Sequence, residues 1–314
     1  MILFVLRRLV GGLPTLLLVT LLVFALTRVL PGDPATLLLG EEANPQLAAK
    51  LREQLGLNRP ILVQYGAWLG GLVQGDLGRS IRDNEKVSPI IWQKLPTSLE
   101  LAFFALAIAL LLGVPAGVVA ALRRGSATDA GVTVLALSGI SIPNFFLGIL
   151  LVYLFSIRLD WIPPSGYVEP WVDLRKNLLL MLLPAFTLGT ALAGAIARFT
   201  RNSLLEVLSQ DYVRTARAKG LGERIVVWRH ALRNAAIPVV TVIGLQLGGL
   251  LGGAVITEQV FSIPGFGRLV VDSVFNRDFP VLQAVVLISA ISVFLVNVLV
   301  DLLYAAIDPR IRYG

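Results

Sequence analysis

The sequence predicts an all-α membrane protein with six transmembrane helices, and three observations support this fold class. Of the 314 residues, 56% are hydrophobic and 15% are charged, and the mean hydropathy of +0.78 exceeds what a water-soluble fold accommodates. Six stretches are apolar enough to cross a bilayer, which takes about 20 helical residues. Lys and Arg are concentrated in alternate connections. The expected spans are residues 9–30, 98–122, 132–157, 178–197, 237–257 and 281–306.

The distribution of charge orients these spans. If the N-terminus is cytoplasmic, the inner segments hold 14 Lys and Arg against 5 Asp and Glu, whereas the outer side holds 13 basic and 14 acidic residues. This is the positive-inside pattern, so both termini are expected in the cytoplasm. Nucleic-acid binders carry their positive charge on polar elements. Here the charge lies between apolar runs, so the net charge of +7 indicates a lipid bilayer and no nucleic-acid partner.

The connections indicate one transmembrane domain over residues 1–314, with an extracytoplasmic insertion at 31–97 and a long cytoplasmic connection at 198–236. The insertion carries two apolar stripes at helical spacing, which end at Gly56 and Gly75, so we expect two short amphipathic helices there. The first span resembles a signal peptide. Its apolar run is too long for one and has no small-residue cleavage site, so it predicts an uncleaved anchor.

Two spans carry residues with an expected structural role. In the fifth span, Gly244, Gly248 and Gly252 recur every four residues, which favours close helix packing over pore lining. In the last span, Asn297 and Asp301 share one face. An intramembrane carboxylate often marks function. Asp301 lies only about 9 Å from the cytoplasmic end of its span, so a structural ion pair or subunit contact is favoured over a proton relay.

The third span contains polar residues around a proline at membrane depth. Pro143 removes one helical hydrogen bond and is expected to kink the helix. Irregular or polar backbone at that depth is tolerated only where it is buried or lines a cavity. Two interpretations remain open: a kink beside a translocation path, or a kink whose free carbonyl is satisfied by serine hydroxyls. The candidate path residues are Ser138, Ser141 and Asn144.

The cytoplasmic connection has the pattern of a helix, a sharp corner and a second helix. Gly220 and Gly222 allow the left-handed backbone that ends one helix and redirects the next. Beyond the corner an apolar stripe follows at steps of four, three and four residues, with the arginines largely off it. A positive-inside loop needs only charge, so this periodicity indicates a docking element. The stripe consists of Leu221, Ile225, Trp228 and Leu232.

Several catalytic classes lack their sequence motifs. The sequence has no G-x-x-x-x-G-K-[ST] phosphate loop, no H-E-x-x-H and no G-x-S-x-G. It contains no Cys and one His, His230, which excludes a thiolate site and a His-rich metal site within the chain. We therefore expect no cofactor or metal to be bound by this chain. Energy for transport would come from a gradient or from another subunit.

The cytoplasmic connection carries a family resemblance. Thr215, Ala216 and Gly220, followed at fixed spacing by His230-Ala231-Leu232, resemble the EAA loop of permease subunits of ABC importers. The segments RTARAKGL and RHALRNAAIPVVT are similar to the corresponding segments of the dipeptide, oligopeptide and nickel group. Two positions depart from the general loop. Its leading Glu corresponds to Arg214 or Thr215, and its terminal Pro corresponds to Arg233, as is usual in the peptide group.

The resemblance extends over nearly the whole chain. Seven further phrases, in order and on the expected topology, are similar to the first of the two permeases in a peptide importer. They are PGDPA (31–35), GDLGRS (75–80), LPTSLEL (95–101), SIPNFFLGILLVY (141–153), LDWIPPSGY (159–167), EQVFSIPGFGRL (258–269) and DLLYAAIDPRIR (301–312).

The resemblance implies a type I ABC importer permease fold and a five-part assembly in the bacterial inner membrane. The implied partners are a second homologous permease, two ATPases that bind ATP and Mg²⁺, and a binding protein that delivers a peptide substrate. The binding protein would contact residues 31–97, 158–175 and 258–280. A coupling helix would dock in a groove on an ATPase. The residues implied to couple are Thr215, Ala216, Arg217, Ala218, Lys219, Gly220, Leu221, Arg224, Ile225, Trp228 and Arg229.

Alternatives remain inside and outside this class. Di- and oligopeptides, glutathione-like peptides and nickel chelates are served by near-identical permeases of the group that the sequence resembles. A gradient-driven secondary transporter would show inverted repeats or mid-membrane titratable groups, and only Asp301 hints at the latter. A membrane enzyme would need a nucleophile with a base, or a metal cluster, and the chain offers neither.

Overall fold

The computed structural model describes residues 2–29, 34–39, 44–54 and 56–307. Within these ranges the chain is mostly helical and has no strand, although Arg79 and Lys86 form an isolated antiparallel bridge. The helices are α1 (Ile2–Val29), α2 (Pro34–Leu39), α3 (Pro45–Gln54), α4 (Ile61–Val73), α5 (Val87–Leu122), α6 (Ala127–Ser141), α7 (Asn144–Leu151), α8 (Leu174–Leu208), α9 (Asp211–Ala218), α10 (Glu223–Ile225), α11 (Leu232–Val260), α12 (Phe266–Phe275) and α13 (Phe279–Ile307).

The long helices account for the predicted spans. Five helices, α1, α5, α8, α11 and α13, are long and apolar enough to cross a membrane, and the bent pair of α6 and α7, with the turn that follows, has the length and composition of a sixth crossing. The all-α membrane fold predicted from the sequence is thereby confirmed. Two helices extend furthest beyond the predicted bounds, since α5 begins at Val87 and α8 runs to Leu208. Hydropathy marks only the apolar part of a helix, whereas its polar ends continue outside the bilayer.

The packing of α5 against α8 forms the centre of the bundle. Buried side chains of both helices, including Leu101 and Ile196, belong to one apolar cluster that α11 also joins. Two glycines of α5 bring the backbones together. A methyl group on Gly113 would lie 2.8 Å from the carbonyl oxygen of Ala193, and one on Gly117 would lie 2.5 Å from that of Ala197. Because lipid offers no hydrophobic drive for association, such close contacts hold the helices together.

The third span is broken, which is more than the kink expected from the sequence. Helix α6 ends at Ser141, Ile142 adopts an extended backbone, and α7 begins at Asn144 after a bend of 102°. Pro143 accounts for the break because it has no N–H to donate and disfavours a helical conformation at the residue before it. Beyond α7 the chain continues as a wide π-helical turn over Val152–Arg158, which the sequence did not indicate.

The outer insertion lies against the first and last spans. Helices α3 and α4 occupy the two segments expected to be helical, and α2 is an additional helix. Phe24 of α1 contacts the rings of Tyr65 and Trp68 of α4, with centroids 5.4 and 5.7 Å apart. The loop before α5 is fastened to the start of α13, because the Ser80 hydroxyl donates to the Asp278 carboxylate. The insertion is therefore packed on the bundle.

The outer end of α11 continues into a buried turn. Glu258 is fully buried, and its carboxylate accepts hydrogen bonds from the Ser98 hydroxyl (2.5 Å) and from the backbone N–H of Arg268 (2.7 Å). The Ser98 hydroxyl in turn accepts from the N–H of Phe266 (2.7 Å). These acceptors satisfy N–H groups that the first turn of α12 leaves free. The buried side chains of this turn face the interior of the bundle, and the contact of residues 258–280 with a binding protein stays a prediction.

Candidate functional site

A helical hairpin on the cytoplasmic side, residues 211–231, connects α8 to α11 and is called the cytoplasmic hairpin below. Its first helix, α9, ends in a Schellman motif. The N–H of Gly220 donates to the carbonyl of Arg217 (2.9 Å), and the N–H of Leu221 donates to that of Ala216 (3.4 Å). Gly220 has φ +79°, and no atom lies within 4 Å of where its Cβ would be. Backbone conformation, not lack of space, therefore requires glycine at this corner.

The second glycine of the corner differs from the sequence expectation. Gly222 has φ −61° and ψ 143°, an extended backbone that any residue adopts, and it precedes α10. The left-handed backbone expected at Gly222 is thus wrong. Across the corner Arg217 Nη2 lies 2.6 Å from Glu223 Oε1. The hydrogen bond to this carboxylate raises the pKa of the Arg217 guanidinium above its ordinary value, but the pair is largely exposed and contributes little stability.

The inner face of the cytoplasmic hairpin is anchored to the bundle. Val213, Ala216 and Val226 form a buried cluster inside the hairpin. Val227 and Ala231 join a second cluster with residues from the cytoplasmic ends of α5 and α8. At the side, Asn234 Nδ2 of α11 donates to the Tyr212 hydroxyl of α9 (2.7 Å). The hairpin is therefore held on both helices that form the centre of the bundle.

The outer face presents apolar and basic side chains together. Ile225 is 48% exposed and Trp228 is 61% exposed, whereas Leu221 and Leu232 of the expected stripe are half-buried. A π-helical turn over Val226–Ala231 changes the register and splits the stripe. Ala216 is 8% exposed, so its expected outward contact is replaced by packing within the hairpin. The remaining predicted coupling residues are exposed: Thr215, Arg217, Ala218, Lys219, Gly220, Arg224 and Arg229.

Positive charge on this face is partly unpaired. Arg214 pairs with Asp211 at 3.3 Å, whereas Lys219, Arg224 and Arg229 form no ion pair with any residue that the structure describes. His230 is half-buried, and its backbone carbonyl accepts from the Tyr212 hydroxyl at 3.4 Å. Within the described ranges, no group of three His, Asp or Glu side chains is placed to hold a metal ion. The face suits an acidic protein surface with an apolar pocket.

The candidate path residues lie together at the break in the third span. Ser138 and Asn144 are half-buried and Ser141 is exposed. The N–H of Ile142 donates to the Ser138 carbonyl (2.9 Å). Neither serine hydroxyl has a hydrogen-bond partner among the described residues. The structure therefore does not support the interpretation in which these hydroxyls donate to the carbonyl that Pro143 leaves free. All three polar groups remain available at the bend.

The residues expected to have structural roles lie at two helix contacts. Gly244 and Gly248 of α11 face α13, and Asp301 of α13 faces α1. Gly244 packs directly against the side chain of Val300, whereas Gly248 makes an ordinary contact with Val293, with 3.6 Å to its Cγ1. Gly252 lies in α11, but its surroundings are outside the described residues. Asp301 forms an ion pair with Arg8 of α1 at 2.5 Å. Asn297 is exposed on the same helix.

Two contributions to the packing of the bundle and the hairpin were not predicted from the sequence. Gly113 and Gly117 bring the backbone of α5 close to that of α8, and their four-residue spacing in the second span is a small-xxx-small pattern that would have indicated them. No sequence pattern indicates the hydrogen bond between Tyr212 and Asn234, because the two residues meet only when the hairpin folds back.

The six crossings and the cytoplasmic hairpin define a membrane permease of the ABC importer class. Residues 113–313 match the family described as the binding-protein-dependent transport system inner membrane component. Residues 1–102 match the N-terminal part of such a membrane component. The chain belongs to this family, and it is an inner-membrane permease component of an ABC transport system. The resemblance drawn from the sequence is confirmed.

Individual relatives and one solved structure agree with this assignment. The chain is 48% identical over 310 residues to the glutathione transport system permease protein GsiC of Salmonella choleraesuis (strain SC-B67), with 99% of each chain covered. It is 46% identical, with the same coverage, to GsiC of Escherichia coli (strain K12). An inward-facing structure of the MetNI methionine ABC transporter aligns at TM-score 0.59 and 19% identity, over 70% of this chain and 96% of that one. That match confirms the type I importer permease fold.

Proposed function

We propose that this chain is one of two homologous permeases of a peptide importer and that separate ATPase subunits drive it through the cytoplasmic hairpin. The main observation in support is that the two faces of that hairpin differ. Its inner face is buried against α5 and α8, and its outer face exposes Ile225 and Trp228 beside unpaired basic residues. The sequence has no phosphate loop, so ATP and Mg²⁺ would be bound by the ATPases and not by this chain.

The anchoring of the hairpin supports a mechanism for coupling. An ATPase groove that holds Trp228 and Ile225 would move the hairpin when the ATPases close on ATP. Because Val227 and Ala231 pack with Val118 and Leu204, that displacement is passed to the cytoplasmic ends of α5 and α8. Rigid-body movement of such helices is one of the common switching transitions in proteins. The substrate path would then alternate between outward and inward access.

The second permease would complete the path. Large apolar side chains of α5 and α11, including Leu111, Leu245 and Ile256, are exposed in the isolated chain and would contact lipid or that second permease. The break in the third span places Ser138, Ser141 and Asn144 at a bend where irregular backbone needs a polar environment. These residues are our candidates for the path lining.

Glutathione is the first substrate to test. It is a small peptide, and two relatives described as glutathione transport permeases are 48% and 46% identical to this chain over nearly its full length. Dipeptides, oligopeptides and nickel chelates are the alternatives within the same group. An extracytoplasmic binding protein would select among them and deliver the substrate to the outer face.

The test is uptake by the reconstituted assembly. The two permeases and the ATPases are placed in proteoliposomes, and uptake of labelled glutathione is measured with and without the binding protein and ATP. We expect uptake to require both and to be insensitive to collapse of the proton gradient. A glutathione uptake that persists without ATP and follows the proton gradient would contradict the proposal.

A further inference from the structure

A cavity of about 550 Å³ lies where the outer insertion meets the first and last spans. Its apolar lining comes from α1, α4 and the start of α13, and includes Phe24, Val63, Trp68 and Pro280. The cavity is distant in sequence and in position from the cytoplasmic hairpin. We call it the outer arginine cavity because Arg28, Arg59 and Arg79 also line it.

These three arginines have no acidic partner among the described residues. Arg28 lies over the ring of Phe24, with 5.0 Å from Cζ to the ring centroid. Arg79 donates to the backbone carbonyl of Asn84 at 3.2 Å. Arg59 forms no ion pair within the described ranges. Guanidinium groups match phosphate oxygens with paired hydrogen bonds. All three line one cavity, which gives it the positive charge that a phosphate group requires.

A fourth group in the cavity needs a hydrogen-bond donor. The Gln64 amide nitrogen Nε2 donates to the carbonyls of Leu57 (2.9 Å) and Arg59 (2.7 Å). This fixes the orientation of the amide, because only the nitrogen can donate. Its oxygen Oε1 is buried and has no partner among the described residues. A ligand for this cavity would offer an anionic group to the arginines and a hydroxyl donor to Gln64.

The surroundings of the cavity select the class of ligand. Leu22 and Leu26 of α1 and Ile61 and Leu62 of α4 are exposed on the helices that line the cavity, and such apolar side chains suit contact with acyl chains. Arg28 lies at the outer end of the first span, which is the depth of lipid headgroups, and Arg59 and Arg79 of the outer insertion line the same cavity. Glutathione and free phosphate have no extended apolar part to cover Phe24, Val63 and Trp68. An anionic lipid has a phosphate, acyl chains and, in phosphatidylglycerol, free hydroxyls.

We propose that the outer arginine cavity binds an anionic phospholipid of the outer leaflet, with phosphatidylglycerol as the best match. The arginines hold its phosphate, a glycerol hydroxyl donates to Gln64 Oε1, and an acyl chain covers Phe24 and Trp68. The lipid thereby fills the space between the outer insertion and α1. Anionic lipid in this position stabilises the packing of α4 on α1.

Native mass spectrometry of the assembled transporter tests this proposal. The complex is released from nanodiscs that contain equal amounts of phosphatidylglycerol and phosphatidylethanolamine, and the lipids retained are counted. We expect retention of phosphatidylglycerol over phosphatidylethanolamine in the wild type. The triple variant Arg28→Gln, Arg59→Gln, Arg79→Gln should lose this retention by about tenfold, since each basic residue at a membrane surface contributes to attraction of anionic lipid.

Two comparisons separate a specific site from general charge or misfolding. The control variant Arg82→Gln, Arg175→Gln, Lys176→Gln removes three outer charges that do not line the cavity, and it should retain the lipid as the wild type does. The variant Ala67→Phe keeps all three arginines but fills the cavity, and it should also lose the lipid. Equal retention of both lipids, equal loss in the triple and control variants, or displacement by inorganic phosphate or glutathione alone would overturn the proposal.

Discussion

Arg8 of α1 and Asp301 of α13 form an ion pair with 2.5 Å between Nε and Oδ2, which joins the first and last spans near the cytoplasmic side. The side chain of Arg8 is 56% exposed, whereas that of Asp301 is 21% exposed. The carboxylate is thus the more enclosed partner. Its pairing with Arg8 accounts for a charged residue within an apolar helix without assigning it to proton transfer.

The unequal exposure predicts unequal effects of mutation. Arg8→Gln leaves the carboxylate of Asp301 without its partner, which costs up to about 2.5 kcal/mol for a charge at membrane depth. Asp301→Asn should cost less, because the long Arg8 side chain can turn its guanidinium to water. Thermal unfolding of the detergent-purified protein measures both. The exchange of Arg8→Asp with Asp301→Arg should recover stability, and two single variants as stable as the wild type would contradict a role for the pair.

A matched pair of glycines tests the contact between α5 and α8. Gly117→Ala should destabilise the protein by about 1 to 3 kcal/mol, because its methyl group overlaps the Ala197 carbonyl and the Thr200 side chain. Gly131→Ala is the control, since no atom lies within 4 Å of its Cβ position. That change should be neutral or stabilising by up to about 1 kcal/mol, because alanine is the better helix former. Denaturant unfolding measures both, and an equal effect would count against close packing at Gly117.

The corner of the cytoplasmic hairpin offers a second matched pair. Gly220→Val forces a β-branched residue into a left-handed backbone, with a strain of about 1 to 3 kcal/mol. Uptake per ATP hydrolysed should fall by about tenfold, the equivalent of about 1.4 kcal/mol, while the protein still inserts. Gly222→Val should couple normally because Gly222 is already extended. Normal coupling in both variants would remove the fixed corner from the mechanism.

The buried turn at the outer end of α11 is held by hydrogen bonds of Ser98, so removal of its hydroxyl should lower the stability of the protein. Ser98→Ala removes a donor to Glu258 and an acceptor for the N–H of Phe266. Leaving these buried groups unpaired should cost about 1 to 3 kcal/mol. Ser141→Ala is the control, because Ser141 is exposed and its hydroxyl has no partner in the described ranges. Thermal unfolding distinguishes them, and a Ser98→Ala variant with unchanged unfolding would show that the turn is held by other contacts.

Much of the fold follows from local properties of the sequence, and the remainder does not. The spans and the corner at Gly220 were predictable because hydropathy, charge and glycine act within one segment. The size of the bend at Pro143 was underestimated. A proline in the sequence indicates a lost hydrogen bond, whereas the bend angle depends on tertiary packing. The partner of Asp301 was not identifiable, since Arg8 lies 293 residues away.

The cytoplasmic hairpin shows the same division. The apolar stripe expected from the periodicity is exposed at Ile225 and Trp228. The π-helical turn over Val226–Ala231, which splits it, was not indicated by the sequence. The burial of Ala216 follows from the way α9 folds back on α10, so a residue expected to contact a partner contributes to the hairpin core instead.

Site-specific cross-linking tests the central claim that an ATPase binds the cytoplasmic hairpin. The chain has no native cysteine, so Trp228→Cys and Trp161→Cys each provide one attachment point for a photo-cross-linker in the assembled transporter. The two tryptophans are similarly exposed, at 61% and 67%, but lie on opposite sides of the bundle. We expect an adduct between the probe at Trp228→Cys and an ATPase subunit, and none from Trp161→Cys. Absence of that adduct, or an equal yield from both positions, would contradict that claim.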